Sequence, residues 1–351
     1  MSGFLMDKLF GYLPPADEYL RDSIEDVRDM LEKAVEAAPQ VPEASYNLGR
    51  YFVEKGNPNA AEAILKASLN LFENAEVKNH RRIIKNIDAY RLLGEVYRDN
   101  RQYLDAEKNY VSGIDLFTQE RSRSGLASDE RVGKLYADMA DLDYFISGKL
   151  NSALENYMHS VENMNDVPSV RYRIGVIQYA QGDFDKALNS FIKTISEVPE
   201  ERNVLFALGN TLVLRNSNSA ALGYYEKLMD ILDLEKEKLG VLFPQIRENH
   251  GALVEMYLKA SNNLGVTLSR LAKQNGNSEY NARAMVNFSE SIRAWDALTR
   301  NQETMRRLEG TNLAGQNIKY LTVPFSSYEP ELYTVLPKVL DGEKVLKQAD
   351  R

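Results

Sequence analysis

The chain has 351 residues, 44% of them apolar, no cysteine and a formal net charge of −8. That length and apolar content are enough for a continuous core without cross-links, and the missing cysteines exclude disulfides, thiol chemistry and cysteine-based zinc sites while leaving the compartment open. The negative balance argues against a nucleic-acid surface or an anionic-membrane surface, each of which needs a positive field.

The opening stretch MSGFLMDKLFGYLPP has too short an apolar run for a signal peptide, and no later stretch is apolar enough to predict a transmembrane span. From Ala16 to Ala38 the spacing predicts an amphipathic helix, with Leu20, Ile24, Val27, Leu31, Ala34 and Val35 on one face. Pro14 and Pro15 precede it and Pro39 stops it. The first full helix–turn–helix pattern then begins at Pro42, with Gly49, Phe52, Gly56, Ala61 and Leu65 at fixed offsets. The basic run KNHRRIIK at 78–85 spreads its cations around a helix and reads as a solvated face.

The next copy carries Gly94, Tyr97, Tyr103, Ala106 and Tyr110, and the one after it Tyr144, Gly148, Ala153 and Tyr157, with Asp141 where the others have glycine. The clearest copy runs from Pro168 to Pro199 and sets Gly175, Gly182, Phe184, Ala187, Phe191 and Pro199 at positions 8, 15, 17, 20, 24 and 32 of a unit of about 34 residues. Gly209, Ala221 and Tyr225 continue the register, and Gly265, Ala284 and Phe288 close it with a lengthened turn. Small residues at positions 8 and 20 let two helices approach closely, while the large one at 24 fills the space toward the next helix. A single copy cannot bury its apolar face, so the copies are expected to stack.

Extra length falls between copies and reads mostly as added helical turns. RSRSG at 121–125 is expected as a loop, Ser128 as an N-cap, and Pro244 as the first turn of a helix running to about Lys273. Beyond Ala294 a helical stretch without a partner is expected to cap the last copy. The tail from Leu321 carries Pro324, Pro330 and Pro337, which forbid one continuous helix. It also holds Val323, Phe325, Tyr328, Leu332, Tyr333, Val335 and Leu336, too apolar for a solvated linker, so it is expected to pack on its own repeats or on a partner.

These repeats resemble the tetratricopeptide (TPR) family over roughly Pro42 to Ala294. The resemblance implies an all-α helix–turn–helix solenoid, a right-handed superhelix of about six repeats. It divides the chain into a capping helix or half repeat at 1–41, a repeat array at 42–300, and a cap with a proline-containing tail at 301–351. It also implies that the first helix of each repeat lines a groove with positions 2, 5, 9, 12 and 13. For the third repeat these are Leu135, Asp138, Leu142, Phe145 and Ile146; for the fourth, Ser169, Tyr172, Val176, Tyr179 and Ala180; for the fifth, Asn203, Phe206, Asn210, Val213 and Leu214.

The expected partner-binding groove is therefore Leu142, Phe145, Ile146, Tyr172, Val176, Tyr179, Asn203, Phe206, Asn210 and Val213, an apolar wall with two amides. A partner segment in it, the tail in it, and packing of the wall on itself are three occupancies the sequence leaves open. The first two repeats present instead Glu43, Tyr46, Arg50, Val53 and Glu54, then Asp88, Arg91, Glu95, Arg98 and Asp99, a charged surface. The lysine and asparagine pattern with which some TPR domains clamp a chaperone's acidic C-terminus is not matched, because Phe206 stands where the clamp wants lysine before Asn210.

Catalytic motifs are missing. His80, His159 and His250 sit in unrelated segments, and no metal-binding, phosphate-binding or nucleophile-elbow pattern occurs. No catalytic residue, metal or cofactor is expected. The expected role is a non-catalytic protein–protein interaction scaffold, with other proteins as partners, no nucleic acid and no membrane insertion. The runs ARAMVNFSESIRAWDALTRNQETMRRLEG and NLAGQNIKYL are similar to TPR subunits of the spirochaete periplasmic flagellar collar. That likeness implies a structural assembly subunit, sibling subunits as partners, and the periplasm. The alternatives are a cytoplasmic adaptor or co-chaperone-like peptide binder, and a regulatory subunit of an enzyme.

Overall fold

Prolines and short polar side chains set where the helices begin. In the computed structural model, which describes residues 24–76, 79–243, 246–300, 311–322 and 329–343, Pro42, Pro58 and Pro168 each occupy the first turn of a helix, where a missing N–H costs nothing. Asn57, Asn79 and Asp129 accept hydrogen bonds from free backbone N–H groups at three helix starts. The expected cap at Ser128 is thus displaced by one residue, because the carboxylate of Asp129 reaches the Arg131 N–H at 2.9 Å.

The described residues form an all-α fold. Its helices are α1 (Ile24–Ala37), α2 (Pro42–Glu54), α3 (Pro58–Glu73), α4 (His80–Asp99), α5 (Tyr103–Ser124), α6 (Glu130–Asp141) and α7 (Leu150–Glu162) in one compact unit. A second unit, beginning at Asp166, holds α8 (Pro168–Ala180), α9 (Phe184–Glu197), α10 (Arg202–Leu214), α11 (Asn218–Lys238), α12 (Gly251–Asn275), α13 (Ser278–Arg300), α14 (Leu313–Thr322) and the irregular segment 329–343, which turns at Asp341–Gly342. Within each unit, successive helices pack as hairpins: α2 on α3, α4 on α5 and α6 on α7 in the first, and α8 on α9, α10 on α11 and α12 on α13 in the second. The division falls inside the stretch expected as one array.

The repeat register is visible as steric fit. A Cβ at Gly175 would lie 2.5 Å from the Phe191 ring, and one at Gly94 would lie 2.3 Å from the Tyr110 ring, so position 8 is glycine because position 24 is large. Where Asp141 replaces that glycine, the Tyr157 hydroxyl donates to its carboxylate at 2.5 Å, and a hydrogen bond replaces the close approach. The same helix then widens into a π-turn over Leu142–Ser147, ended by Gly148 at φ 66°. Position-24 residues Leu65, Tyr110, Tyr157, Phe191, Tyr225 and Phe288 are fully buried, and so are the position-20 alanines.

Added length between repeats is helical, as the spacing predicts, but its limits differ. RSRSG is not a loop: α5 runs through Ser124 with Arg121 and Arg123 in its last turn, and Gly125 at φ 66° ends it. Cations near a helix C-terminus favour the extra turn, and a left-handed glycine terminates it. The long sixth-repeat helix starts at Gly251 and reaches Asn275; Pro244, the early part of the helix expected from Ala16, and the segment 301–310 lie outside the described residues.

Candidate functional site: a groove lined with amides

Residues 329–343 lie along the first helices of the second unit's repeats, antiparallel to α8 and α10. Tyr179 donates to the Thr334 carbonyl at 3.1 Å and Tyr172 to that of Pro337 at 2.8 Å. Asn210 reaches the Tyr333 carbonyl at 2.9 Å and Asn203 that of Val339 at 2.8 Å. Burial pushes the Tyr179 phenol up to about 12, so it remains a proton donor across the physiological range.

Four carboxamides form a continuous chain beneath this segment. Asn263 holds both backbone groups of Tyr333, donating to its carbonyl at 2.9 Å and accepting from its N–H at 2.8 Å. Asn317 does the same for Glu331, at 2.8 Å to each group. Asn262 adds a third contact, to the Glu331 carbonyl at 3.0 Å. The amides also bond one another: Asn317 donates to Asn262 at 2.9 Å, Asn262 to Asn263 at 3.1 Å, and Asn263 to Asn210 at 2.8 Å, whose oxygen also takes the Tyr225 hydroxyl at 2.5 Å. All four are fully buried. A buried amide is costly without partners, so this row is organised around an extended backbone whose alternate residues present N–H and C=O to it.

The segment's side chains supply the apolar half of the contact. Leu336, Val339 and Leu340 are buried, and Tyr333 ties the start of α14 by donating to the Thr311 carbonyl at 2.8 Å. Val335 points out, 74% exposed. Charges bracket the segment: Lys273 meets Glu329 at 3.1 Å, Arg202 meets Asp341 at 2.6 Å and Arg173 meets Glu343 at 3.2 Å.

Of the ten residues expected to line the groove, seven lie in this unit. Tyr172, Tyr179, Asn203 and Asn210 bond the segment directly, while Val176, Phe206 and Val213 are buried, Phe206 with its ring 6.4 Å from that of Tyr225. Leu142, Phe145 and Ile146 belong to the first unit, where Leu142 joins the core and Ile146 packs against it. Sequence reasoning missed Asn262, Asn263, Asn317, Arg173 and Arg202. Position 5 of the sixth repeat is Asn262, so the groove rule extended one repeat further finds it; Asn263 and Arg173 stand at position 6, outside that rule.

The charged face of the first unit neutralises itself. Arg91 binds Asp88 at 2.7 Å, Glu95 at 3.1 Å and Asp138 at 3.2 Å, Arg98 also reaches Asp138 at 3.2 Å, and Tyr46 donates to Asp88 at 2.6 Å. Among the described residues no group of three or more histidine, cysteine, aspartate or glutamate side chains is arranged to hold a metal ion. No helix among them is long and apolar enough to cross a membrane.

Paired helices in a fixed register, with an inner wall formed by the first helix of each pair, define a helical-repeat protein of the solenoid class. A family model described as tetratricopeptide repeat matches residues 24–76 and 172–232, and the fold is of that all-α type. Among solved structures, the C-terminal part of a TPR repeat-containing protein from Cytophaga hutchinsonii is similar at TM-score 0.51 and 12% identity, covering 84% of this chain and 98% of that one. YrrB, described as a TPR protein with an unusual peptide-binding site, aligns at TM-score 0.45 and 19% identity over 57% of this chain and 91% of its own. MamA aligns at TM-score 0.42 and 18% identity over 58% of this chain and 97% of its own. A search of curated proteins finds no match. The repeat fold is that of a protein–protein interaction scaffold.

Proposed function

We propose that this chain is a non-catalytic scaffold that binds other proteins through the groove of its second unit, taking a partner segment in extended form. The observation that supports this is the row Asn210, Asn263, Asn262 and Asn317, whose donors and acceptors meet main-chain groups at alternate residues of an extended segment. Contacts to main chain are independent of side-chain identity, which is how grooves of this kind hold extended segments. Tyr172, Tyr179, Asn203 and Asn210 are the binding residues, on a wall backed by Val176, Phe206 and Val213.

The experiment is to compare proteins that co-purify with the wild-type chain and with Asn210→Ala/Asn263→Ala, both checked for helix content by circular dichroism. Loss of partners with the helices retained is expected. An unchanged set of partners sinks the reading.

The finer form of the proposal is an assembly subunit of a larger complex such as the spirochaete flagellar collar. It is supported by the likeness of 282–310 and 312–321 to collar subunits, and it places the chain in the periplasm. Fractionation of the source cells and co-purification of sibling subunits test it. Recovery in the cytoplasm with a single peptide-bearing partner would favour an adaptor instead.

A further inference from the structure

The amide row binds main chain, so it cannot by itself choose between extended segments. Selection must come from side chains, and along 329–343 few of them are enclosed. Thr334 and Val335 are exposed and select nothing. Leu336, Val339 and Leu340 are buried, which asks only for apolar residues at those places. What remains is the Tyr333 hydroxyl, which donates to the Thr311 carbonyl at 2.8 Å, and charge. The Nη2 of Arg173, on a side chain only 10% exposed, meets Glu343, and Arg202, 23% exposed, is held between Asp341 and Glu235. At the other end Lys273 meets Glu329, both mostly exposed, and contributes least. An incoming segment without carboxylates at the Asp341 and Glu343 places would take those anions from two largely enclosed guanidinium groups, which discriminates against it.

The resident segment is also held without a backbone ladder. It contributes no helix or strand, and side chains of the groove hold its main chain. Glu329, Glu331, Thr334, Val335, Lys338, Asp341 and Gly342 remain exposed. A segment held by side-chain contacts, without a ladder of backbone hydrogen bonds, opens at lower free energy than the helices it rests on.

Building on the groove reading above, we infer that the groove selects a partner protein's segment that is extended where it meets the amides and turns at its end to place two carboxylates as Asp341 and Glu343 are placed, and that 329–343 is the resident stand-in which that segment displaces. The stand-in sets a threshold: tethered to its own groove it competes at high effective concentration, so only a segment matching both the apolar places and the charged end displaces it.

The test uses the full-length chain opened by Leu336→Asp/Val339→Asp in its own tail, which leaves every groove residue intact. The probe is a fluorescent synthetic peptide of residues 329–343, and a second probe carries Glu329→Gln, Asp341→Asn and Glu343→Gln. The opened chain should bind the native probe at least about tenfold more tightly than wild type does, and the neutralised probe about tenfold more weakly than the native one. Arg202→Glu in the opened chain should weaken the native probe and restore binding to a probe with Asp341→Lys.

Equal affinity for native and neutralised probes overturns the charge selection while leaving the groove reading intact. A folded, opened chain that binds neither probe overturns both. Should the opened chain unfold, the two probes are compared on wild type at higher concentration, where equal dissociation constants overturn the selection in the same way. Wild-type dimers that grow with concentration and vanish with Leu336→Asp/Val339→Asp would assign the groove to a second copy's tail and overturn the partner segment.

Discussion

Glu95 sits where the first unit crowds its charges. Burial holds its carboxyl above the ordinary range, and the nearby Asp138 adds to the push. A carboxyl whose pKa rises on folding binds its proton more tightly in the native state. Its favourable contribution is therefore fullest below the ordinary glutamate value of about 4.3 and is lost as pH climbs through the raised value. Glu95→Gln should flatten that part of the stability profile, read from urea midpoints between about pH 4 and 7; a profile unchanged from wild type would remove Glu95 as its source. Gly175 makes a steric prediction. With Phe191 2.5 Å from a new Cβ, Gly175→Ala should cost about 1–3 kcal/mol by forcing an enclosed ring aside. An unaltered melting temperature would show that the ring has room the structure does not give it. Both residues are visible in the sequence, but only Gly175 announced its role there, because its spacing from Phe191 is fixed by the repeat, whereas Asp138, which adds to the push on Glu95, comes from another helix pair.

Helix ends carry the next set of decisions. RSRSG reads as a loop from composition, yet α5 continues through it to Gly125, whose left-handed conformation ends the helix. The sequence contains the stop signal; what it hides is that polar residues before a C-terminal glycine belong to the helix. Gly125→Ala should lower the stability of the first unit by about 1 kcal/mol, since a Cβ is disfavoured at that φ although no neighbour lies within 4 Å. The Asp141 repeat is a different case. With aspartate at position 8 the hairpin still forms, because the Tyr157 hydroxyl meets the carboxylate. Tyr157→Phe should therefore destabilise α6 and α7 by about 1 kcal/mol or more in chemical denaturation, as a partly enclosed acceptor loses its donor.

Across the whole molecule, two units each bury their own core, and repeat proteins draw stability from neighbouring pairs rather than from one centre. The chain's single tryptophan, Trp295 in α13, reports on the second unit alone. Gly94→Ala, which drives a Cβ to 2.3 Å from Tyr110 in the first unit, should lower the circular dichroism transition while leaving the tryptophan fluorescence midpoint in place. Coincident shifts in both signals would mean a single cooperative transition.

The sequence by itself determined the all-α repeat fold and its register, because those follow from which residue sizes recur at which offsets. It also marked the tail as too apolar to be left in water. Only the tertiary structure decided that this tail lies in the second unit's groove, and that Asn262, Asn263 and Asn317 join Asn210 in one row. The physical reason is that a hydrogen-bonded amide has no period of its own. Position 5 marks Asn262, but Asn263 stands at position 6 and Asn317 comes from α14, outside the repeats, and their partners include backbone groups that every residue possesses, so nothing in the order of the chain distinguishes these two until folding brings them within bonding distance.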